Sequence, residues 1–442
     1  MTALKKFARD YLVTLCASLL IIILLTAAAR KTDSMWSGPM PESLRSWADR
    51  ERFNELRFDD YMDGITVANI LYRGIVGSLS FWVYFVPDGN KDEGWGSILH
   101  ALDPRNHPAI VKDVLDGKGN FIYRYWTGHM VLTSYLLYLY PEIRIASKFT
   151  YCFVLVLFFL YISVWREKFG NVSAIFVFFV FIGSGSLLWE SFFNPTWGLG
   201  GAFLTAAATG SQVRRGRSYI VPAVAGAVFT NWVGYDHVFD AIALSLPFFL
   251  LFQDDDCGPA RLTAPLIFVA AFLATTALMM ALRAPILYFD GHDPVKFLGQ
   301  VHDQTLYRLQ GRLNQREHFT NAEISRAFAV REALPYLNGY LFKLGGILTP
   351  KPGSILSYLA FAMLPAVGVP GASLCQRRRF DVPAAYNLMV MLLVLFFFHF
   401  MFLFFINHAV VHPWMDCRHM LFSAAVCWGS LLGTCINGRN GA

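Results

Sequence analysis

The stretch Leu12–Ala28 reads LVTLCASLLIIILLTAA and contains no charged residue. A helix that crosses about 30 Å of hydrocarbon needs roughly 20 residues of this kind. Four further runs of the same character follow at Tyr151–Val164, Ala174–Leu188, Pro265–Leu282 and Ala384–Ile406. Together these runs are too many and too apolar to be the buried core helices of a soluble domain. They predict an all-α polytopic membrane protein.

The composition of the 442-residue chain points to the same class. Apolar residues make up 55% of the chain and charged residues 15%, whereas soluble domains usually carry about 25% charged residues. This composition excludes a soluble enzyme, a disordered chain and a secreted disulfide scaffold. The seven cysteines show no CxxC or Cys/His zinc spacing, so we interpret them as small core residues.

The net charge of +6 is concentrated in short clusters between the apolar runs, which indicates membrane orientation and not nucleic-acid binding. Cytoplasmic loops carry an excess of Lys and Arg. The clusters are Lys5, Lys6 and Arg9; Arg166 and Lys168; Arg214, Arg215 and Arg217; Arg261; and Arg377, Arg378 and Arg379. If the N-terminus is cytoplasmic, about ten crossings place all of these clusters on the cytoplasmic side.

The ten predicted spans are residues 10–29, 146–165, 172–189, 198–212, 218–234, 237–252, 263–284, 354–374, 383–406 and 418–436. With this topology both termini are cytoplasmic, and the expected location is a bacterial inner (plasma) membrane. Residues 1–442 form a single integral membrane domain. It has two long extracytoplasmic segments, 30–145 and 285–353.

Both long segments are rich in glycine, proline, aromatic and charged residues, and the first contains amphipathic stretches that predict interfacial helices, Ile75–Phe85 and Met130–Tyr140. The predicted cytoplasmic loops are only a few residues long, so the polar residues that can form a site are concentrated on the outer side. The sequence contains no P-loop, GxGxxG or HExxH motif, which disfavours an enzyme that uses a cytosolic nucleotide.

Three carboxylates, Asp59, Asp60 and Asp63, lie within the sequence RFDDYMDG of the first outer segment. On a helix, Asp63 shares a face with Asp59 at i, i+4 and with Asp60 at i, i+3. Such a cluster can hold a divalent cation, Mg²⁺ or Mn²⁺, or supply a general base. The alternative is a solvated helix start, because aspartate favours N-caps and the positive end of the helix dipole.

The DDxxD spacing also matches the motif with which prenyltransferases hold magnesium and an isoprenoid diphosphate. Those enzymes normally carry a second acidic motif that faces the first. The other aspartate run of this chain, at residues 254–256, lies on the opposite side in the predicted topology. A membrane prenyltransferase is therefore the minor alternative.

The second cluster of interest is the sequence YRYWTGH at residues 123–129. Tyr125 and Trp126 can form an aromatic belt at the headgroup level of the membrane. They can equally stack on a sugar ring while Arg124 or His129 contacts a phosphate. The sequence leaves both alternatives open.

Further residues on the predicted outer side are candidates for substrate binding. They are Glu190, Asn194 and Trp197; the pairs Asn231–Trp232 and Asp236–His237; and His408, His412, Arg418 and His419. His408 and His412 have i, i+4 spacing with Asp416 four residues later, but Pro413 would interrupt a regular helix there. An anionic headgroup bound by Arg418 and His419 is the more natural interpretation at a membrane boundary.

Taken together, these features resemble the GT-C glycosyltransferases, integral membrane enzymes that use polyprenyl-phosphate-linked sugars. The resemblance covers about the N-terminal 170 residues. It consists of a first span, the acidic pair Asp59–Asp60, the aromatic and histidine segment Arg124–His129, the boundary Glu142–Arg144 and the basic turn Trp165–Gly170. The sequence RYWTGH also resembles a YWHG stretch in bacterial membrane proteins of this class.

The resemblance implies that Asp59 or Asp60 is the general base and that a lipid phosphate rests among basic residues near the membrane surface. Asp63 stands outside the usual pair, as an uncertain metal ligand. The implied partners are a polyprenyl-phosphate-sugar donor and a glycan or lipid acceptor, without nucleic acid. The alternatives are a transporter or flippase of a lipid-linked saccharide, which the near absence of ionisable residues from the spans disfavours, and a noncatalytic scaffold.

Overall fold

The computed structural model describes residues 3–32, 66–67, 69–70, 73, 84–86, 120–122, 126–183, 194–234, 237–252, 258–310, 364–365, 367–371, 382–399 and 413–440. Most of these residues are helical, as the sequence predicts. Two short strands, β1 (Tyr84–Val86) and β2 (Asn120–Ile122), pair antiparallel with Tyr84 opposite Ile122.

The helices are α1 (Ala3–Ala29), α2 (Gly128–Leu139), α3 (Ile143–Phe169), α4 (Asn171–Gly183), α5 (Asn194–Arg214), α6 (Ile220–Val233), α7 (Val238–Ser245), α8 (Pro259–Leu262), α9 (Ala264–Phe289), α10 (Pro294–Gln310), α11 (Val382–Phe398) and α12 (Pro413–Asn440). A 3-10 helix at Leu246–Phe249 directly continues α7. Residues 400–412, which precede α12, lie outside the described part of the chain, so the predicted interruption of a helix at Pro413 stays a prediction.

Within the described ranges, three helices are long and apolar enough to cross a membrane, at Lys5–Thr32, Ile145–Phe169 and Ala264–Phe289. Shorter apolar helices lie at residues 171–182, 220–233, 238–249, 383–398 and 422–436. Leu12 and Ile21 of α1 are more than half exposed, which suits contact with lipid and is unusual for a soluble surface when many such residues adjoin. The structure thus confirms membrane-type helices, and the arrangement of ten spans stays a prediction.

The helices pack into a bundle in which α3 lies along α4 and α5, and α6 lies against α1, α5 and α9. Helix α12 packs on α4, and α11 packs on α7. Aromatic side chains fill the centre, where ring pairs such as Phe158–Phe203 and Phe181–Phe422 lie 5.2 and 4.5 Å apart. Each such pair adds about 0.5–1.5 kcal/mol beyond the burial of its area.

Polar side chains inside the bundle join helices to one another. The Trp165 indole donates a hydrogen bond to the Ser173 hydroxyl at 2.8 Å, and that hydroxyl donates to the Gly429 carbonyl at 2.6 Å. This chain of hydrogen bonds links α3, α4 and α12. All three residue positions are distant from aqueous solvent, so each polar group needs such a partner.

The end of α7 is irregular, and side chains from other helices bind its backbone. The Asn387 amide of α11 donates to the Leu251 carbonyl and accepts from the Leu251 amide, both at 2.9 Å. The Tyr386 hydroxyl donates to the Phe249 carbonyl, and the Lys168 ammonium donates to the Leu250 carbonyl. These side chains replace the hydrogen bonds that a continued helix would make.

One end of the bundle gathers several of the predicted cytoplasmic basic clusters. Asp10 of α1 is hydrogen-bonded to Ser218, so the N-terminus of α1 lies beside the α5–α6 turn. Arg214 forms an ion pair with Glu167. We call this the basic end, and it includes Lys5, Lys6, Arg9, Arg166, Lys168, Arg214, Arg215, Arg217 and Arg261. The opposite end, where α1, α4, α6 and α9 terminate and α5 begins, is called the outer end.

Candidate functional site

The sequence-predicted site residues fall into three groups. The structure describes six of them with their side chains: Trp126, His129, Trp197, Asn231, Trp232 and His237. Asn194, in the first turn of α5, and Arg418 and His419, in the second turn of α12, are described in the backbone alone. The remaining predicted residues lie outside the described part of the chain and keep their status as predictions: Asp59, Asp60, Asp63, Arg124, Tyr125, Glu190, His408 and His412.

Trp126 and His129 lie at the start of α2, inside the outer end of the bundle. Both are buried, at 0% and 1% exposure. The His129 imidazole donates from Nδ1 to the Val233 carbonyl at 3.0 Å, at the end of α6. Burial to this degree disfavours the aromatic-belt interpretation for these two residues, because belt side chains face the headgroups.

Gly128 allows α2 and α6 to approach each other at this point. A Cβ atom on Gly128 would lie 2.6 Å from the Trp232 carbonyl oxygen and closer still to the Trp232 ring. Side-chain carbon atoms do not approach other heavy atoms so closely. Gly128 of the YRYWTGH sequence therefore allows the close helix contact in which His129 bonds to Val233.

Two arginines that sequence analysis did not select approach the same turn. The Arg283 guanidinium of α9 lies over the Trp126 ring, 5.3 Å from its centroid, and Arg283 is fully buried. Buried Arg73 donates to the Ser134 hydroxyl of α2 at 2.9 Å, and its charge acts on His129. Two guanidinium groups beside one helix N-terminus create a positive environment suited to an anion.

His129 is electrically neutral in this environment. Burial is the main cause that lowers the pKa of His129 to about 3; the hydrogen bond to Val233 opposes this shift and the Arg73 charge adds to it. A neutral imidazole that donates from Nδ1 presents Nε2 as an acceptor. The positive charge of the cluster therefore comes from the arginines and not from His129.

The end of α9 places an acidic and a histidine side chain close to Arg283. Gly291 has a φ of 82°, and the backbone amide of His292 bonds to the Leu287 carbonyl at 2.8 Å, which is the Schellman helix ending. This turn brings His292 Nε2 to 3.5 Å from Asp290 Oδ2. Burial, then Arg283 and Lys296, lower the pKa of His292 against the opposing effect of Asp290.

A second buried pair lies at the start of α7. His237 Nδ1 and Asp240 Oδ2 are 2.6 Å apart, and the side chains are 9% and 1% exposed. The ring of His237 packs on α5 at Gly198. The two residues are so close that a Cβ atom on Gly198 would lie 2.9 Å from His237 Cδ2. Trp197, the residue before Gly198, is also buried and packs on Phe153 of α3, with ring centroids 5.9 Å apart.

Comparison of the chain with protein-family models, with curated proteins and with solved structures finds no match. Among the residues that the structure describes, no group of three or more His, Cys, Asp or Glu side chains could hold a metal ion. The carboxylates for which the sequence predicts a cation, Asp59, Asp60 and Asp63, are outside this set.

The description of the spans as nearly free of ionisable residues needs a correction. Arg283 lies within the predicted span 263–284, and His237 and Asp240 lie within 237–252, all of them buried. Ionisable residues within such apolar segments are themselves a signal of function. Arg73 offered no comparable signal, because its partner Ser134 is 61 residues away.

Proposed function

We propose that this protein is a GT-C-type membrane glycosyltransferase that moves a sugar from a polyprenyl-phosphate donor to an extracytoplasmic glycan or lipid acceptor. One observation carries the proposal. Trp126 and His129, which sequence analysis selected for sugar and phosphate contacts, are packed among the buried arginines Arg73 and Arg283 at the outer end.

In this proposal the lipid phosphate binds between the arginines and the first turn of α2. The acceptor hydroxyl gives its proton to Asp59 or Asp60 as its oxygen bonds to the anomeric carbon, and the bond from that carbon to the phosphate oxygen breaks. The phosphate leaves with the electron pair, and Arg73 and Arg283 stabilise its charge. A divalent cation at Asp63 is a separate prediction.

The proposed orientation places the basic end in the cytoplasm and the outer end outside, in a bacterial inner membrane. The gathering of basic clusters at one end supports it, because positive loops remain cytoplasmic. Introduced cysteines at Asp92 and Gln315 should react with an impermeant thiol reagent on intact spheroplasts, and one at Arg215 should stay unlabelled until the cells are lysed. If the cysteine at the Arg215 position were labelled in intact spheroplasts and the one at the Asp92 position were not, the protein would have the opposite orientation.

The decisive experiment incubates the purified protein in nanodiscs with a panel of radiolabelled polyprenyl-phosphate sugars and a total lipid and glycan extract. Release of polyprenyl phosphate together with labelled product supports the enzyme. The buried ionisable residues His237, Asp240 and Arg283 favour one other function, a transporter or flippase of a lipid-linked saccharide. Binding of the donor without turnover would favour that alternative.

Arg283→Met should weaken the binding of polyprenyl phosphate by about 1.5–3 kcal/mol, the usual value of a hydrogen bond to a charged group. Methionine keeps much of the apolar volume against Trp126 but has no charge. The affinity is measured with radiolabelled polyprenyl phosphate in nanodiscs. Arg214→Met, at the basic end, is the control and should bind normally, and Arg124→Ala tests the sequence-predicted arginine in the same assay. Equal affinities for wild type and Arg283→Met would remove Arg283 from the phosphate site.

A further inference from the structure

The first turn of α5 contains two buried polar groups that the bundle leaves without hydrogen-bond partners. The Thr196 hydroxyl and the Trp197 indole N–H are both buried, at 5% and 7% residue exposure, and neither has a hydrogen-bond partner among the residues that the structure describes. A buried polar group without a partner destabilises the folded state, because it has lost its hydrogen bonds to water. Such groups in a native structure call for an explanation, and a bound polar ligand is one.

The His237–Asp240 pair lies directly beside this turn. Gly198, two residues after Thr196, is in close contact with the His237 ring, and α5 and α7 pack along each other. With its proton on Nδ1, His237 donates to the Asp240 carboxylate, which fixes the ring orientation. In that tautomer Nε2 is an acceptor, while the Trp197 indole is a donor and the Thr196 hydroxyl is both.

This combination suits the hydroxyl groups of a sugar, which both donate and accept hydrogen bonds. A phosphate would instead require positive charge, and that charge lies on Arg73 and Arg283. We propose that Thr196, Trp197 and His237, with Asp240 as the positioning residue, form a subsite for the hydroxyl groups of a sugar ring. The inference rests on the proposed function in taking the ligand to be a sugar, and the ring belongs either to the donor or to the acceptor.

Thr196→Val is the sharpest test, because valine has the shape of threonine without its hydroxyl. Binding of a panel of methyl glycosides of common hexoses and pentoses is measured by saturation-transfer difference NMR on the protein in nanodiscs. We expect wild type to bind at least one glycoside, and Thr196→Val and His237→Gln to bind it about 2- to 10-fold more weakly, the effect of one lost hydrogen bond. Asp240→Asn should weaken it as well, because the imidazole loses its orientation.

Two controls separate this role from a structural one. Ser245→Ala, on the same helix and bonded only to its own backbone at Ala241, should bind the glycoside like wild type. Thr196→Val should keep or raise the melting temperature, since it removes a buried hydroxyl that has no partner. A lowered melting temperature with unchanged glycoside binding, or the absence of glycoside binding by wild type, would overturn the subsite.

Kinetics with the donor panel then identify the source of the ring. A raised KM for the lipid-linked sugar, with normal affinity for plain polyprenyl phosphate, assigns the subsite to the donor sugar, and a raised KM for the acceptor assigns it to the acceptor. Turnover with wild-type KM for both substrates in Thr196→Val and His237→Gln would overturn the subsite alone. Glycoside binding that depends on Thr196, without turnover by wild type, would overturn the glycosyltransferase and leave the subsite standing.

Discussion

Asp60→Asn or Asp59→Asn should abolish glycosyl transfer, with a rate loss of about 10²–10⁴, while expression and melting temperature stay near wild type. Loss of a general base typically has an effect of this size. Asparagine keeps the size of aspartate and much of its hydrogen bonding, but it cannot take a proton at neutral pH. Rates are measured as release of polyprenyl phosphate with a verified donor and acceptor. Of the two positions we favour Asp60.

Asp63→Asn is the matched variant that separates a base from a metal site. If the cluster supplies a base alone, Asp63 is dispensable and activity survives a chelator. If the cluster holds Mg²⁺ or Mn²⁺, the chelator abolishes activity and Asp63→Asn is nearly as harmful as the other two variants. A helix cap predicts little change in any of them, because asparagine caps a helix about as well as aspartate. Full activity in both Asp59→Asn and Asp60→Asn would exclude this cluster from the mechanism.

Gly128→Ala should lower the free energy of unfolding by about 1–3 kcal/mol, the usual cost of overpacking a core. The added methyl group meets the Trp232 carbonyl as well as its ring, so rotation of one side chain cannot make room. Helix α2 has to move away from α6, and this loosens the contact between His129 and Val233. The unfolding of the protein in detergent, monitored by tryptophan fluorescence, gives the change in stability.

Gly299→Ala is the matched control, since the same substitution at Gly299 meets no atom within 4 Å. Alanine is the better helix former by about 1 kcal/mol, so this variant should be unchanged or slightly more stable. The Gly128→Ala variant should also bind polyprenyl phosphate less tightly, because Trp126 and His129 move with the helix. Equal stability of the two variants would mean that α2 does not pack on Trp232 in the membrane.

Much of the helical framework can be predicted from the sequence, because apolar runs and basic clusters are local signals. The predicted span 146–165 lies within α3, and 198–212 lies within the 21-residue helix α5. The short predicted span 237–252 is not one continuous helix. The structure divides it into α7, a 3-10 helix and an irregular end. Pro247 is a local signal for the end of α7, because proline interrupts an α-helix. The side chains that stabilise the irregular end, Lys168, Tyr386 and Asn387, lie far along the chain and give no local signal.

The candidate site is predictable only in part. The sequence alone identifies Trp126, His129 and Trp197 as candidates, because each lies in a short stretch where polar and aromatic residues cluster. Arg73 and Arg283 reach the same turn from positions more than 50 residues before Trp126 and more than 150 residues after it. Such a convergence depends on how the helices pack, and a single sequence does not encode it in a readable pattern.

The dependence of residues 249–251 on α11 has a consequence for biogenesis. Asn387 is synthesised 136 residues after Leu251, whose amide and carbonyl it binds. Until α11 has been made, both backbone groups of Leu251 need another polar partner, such as water. The end of this segment therefore reaches its final structure only after α11 has packed against α7, later than the helices that precede it in the chain.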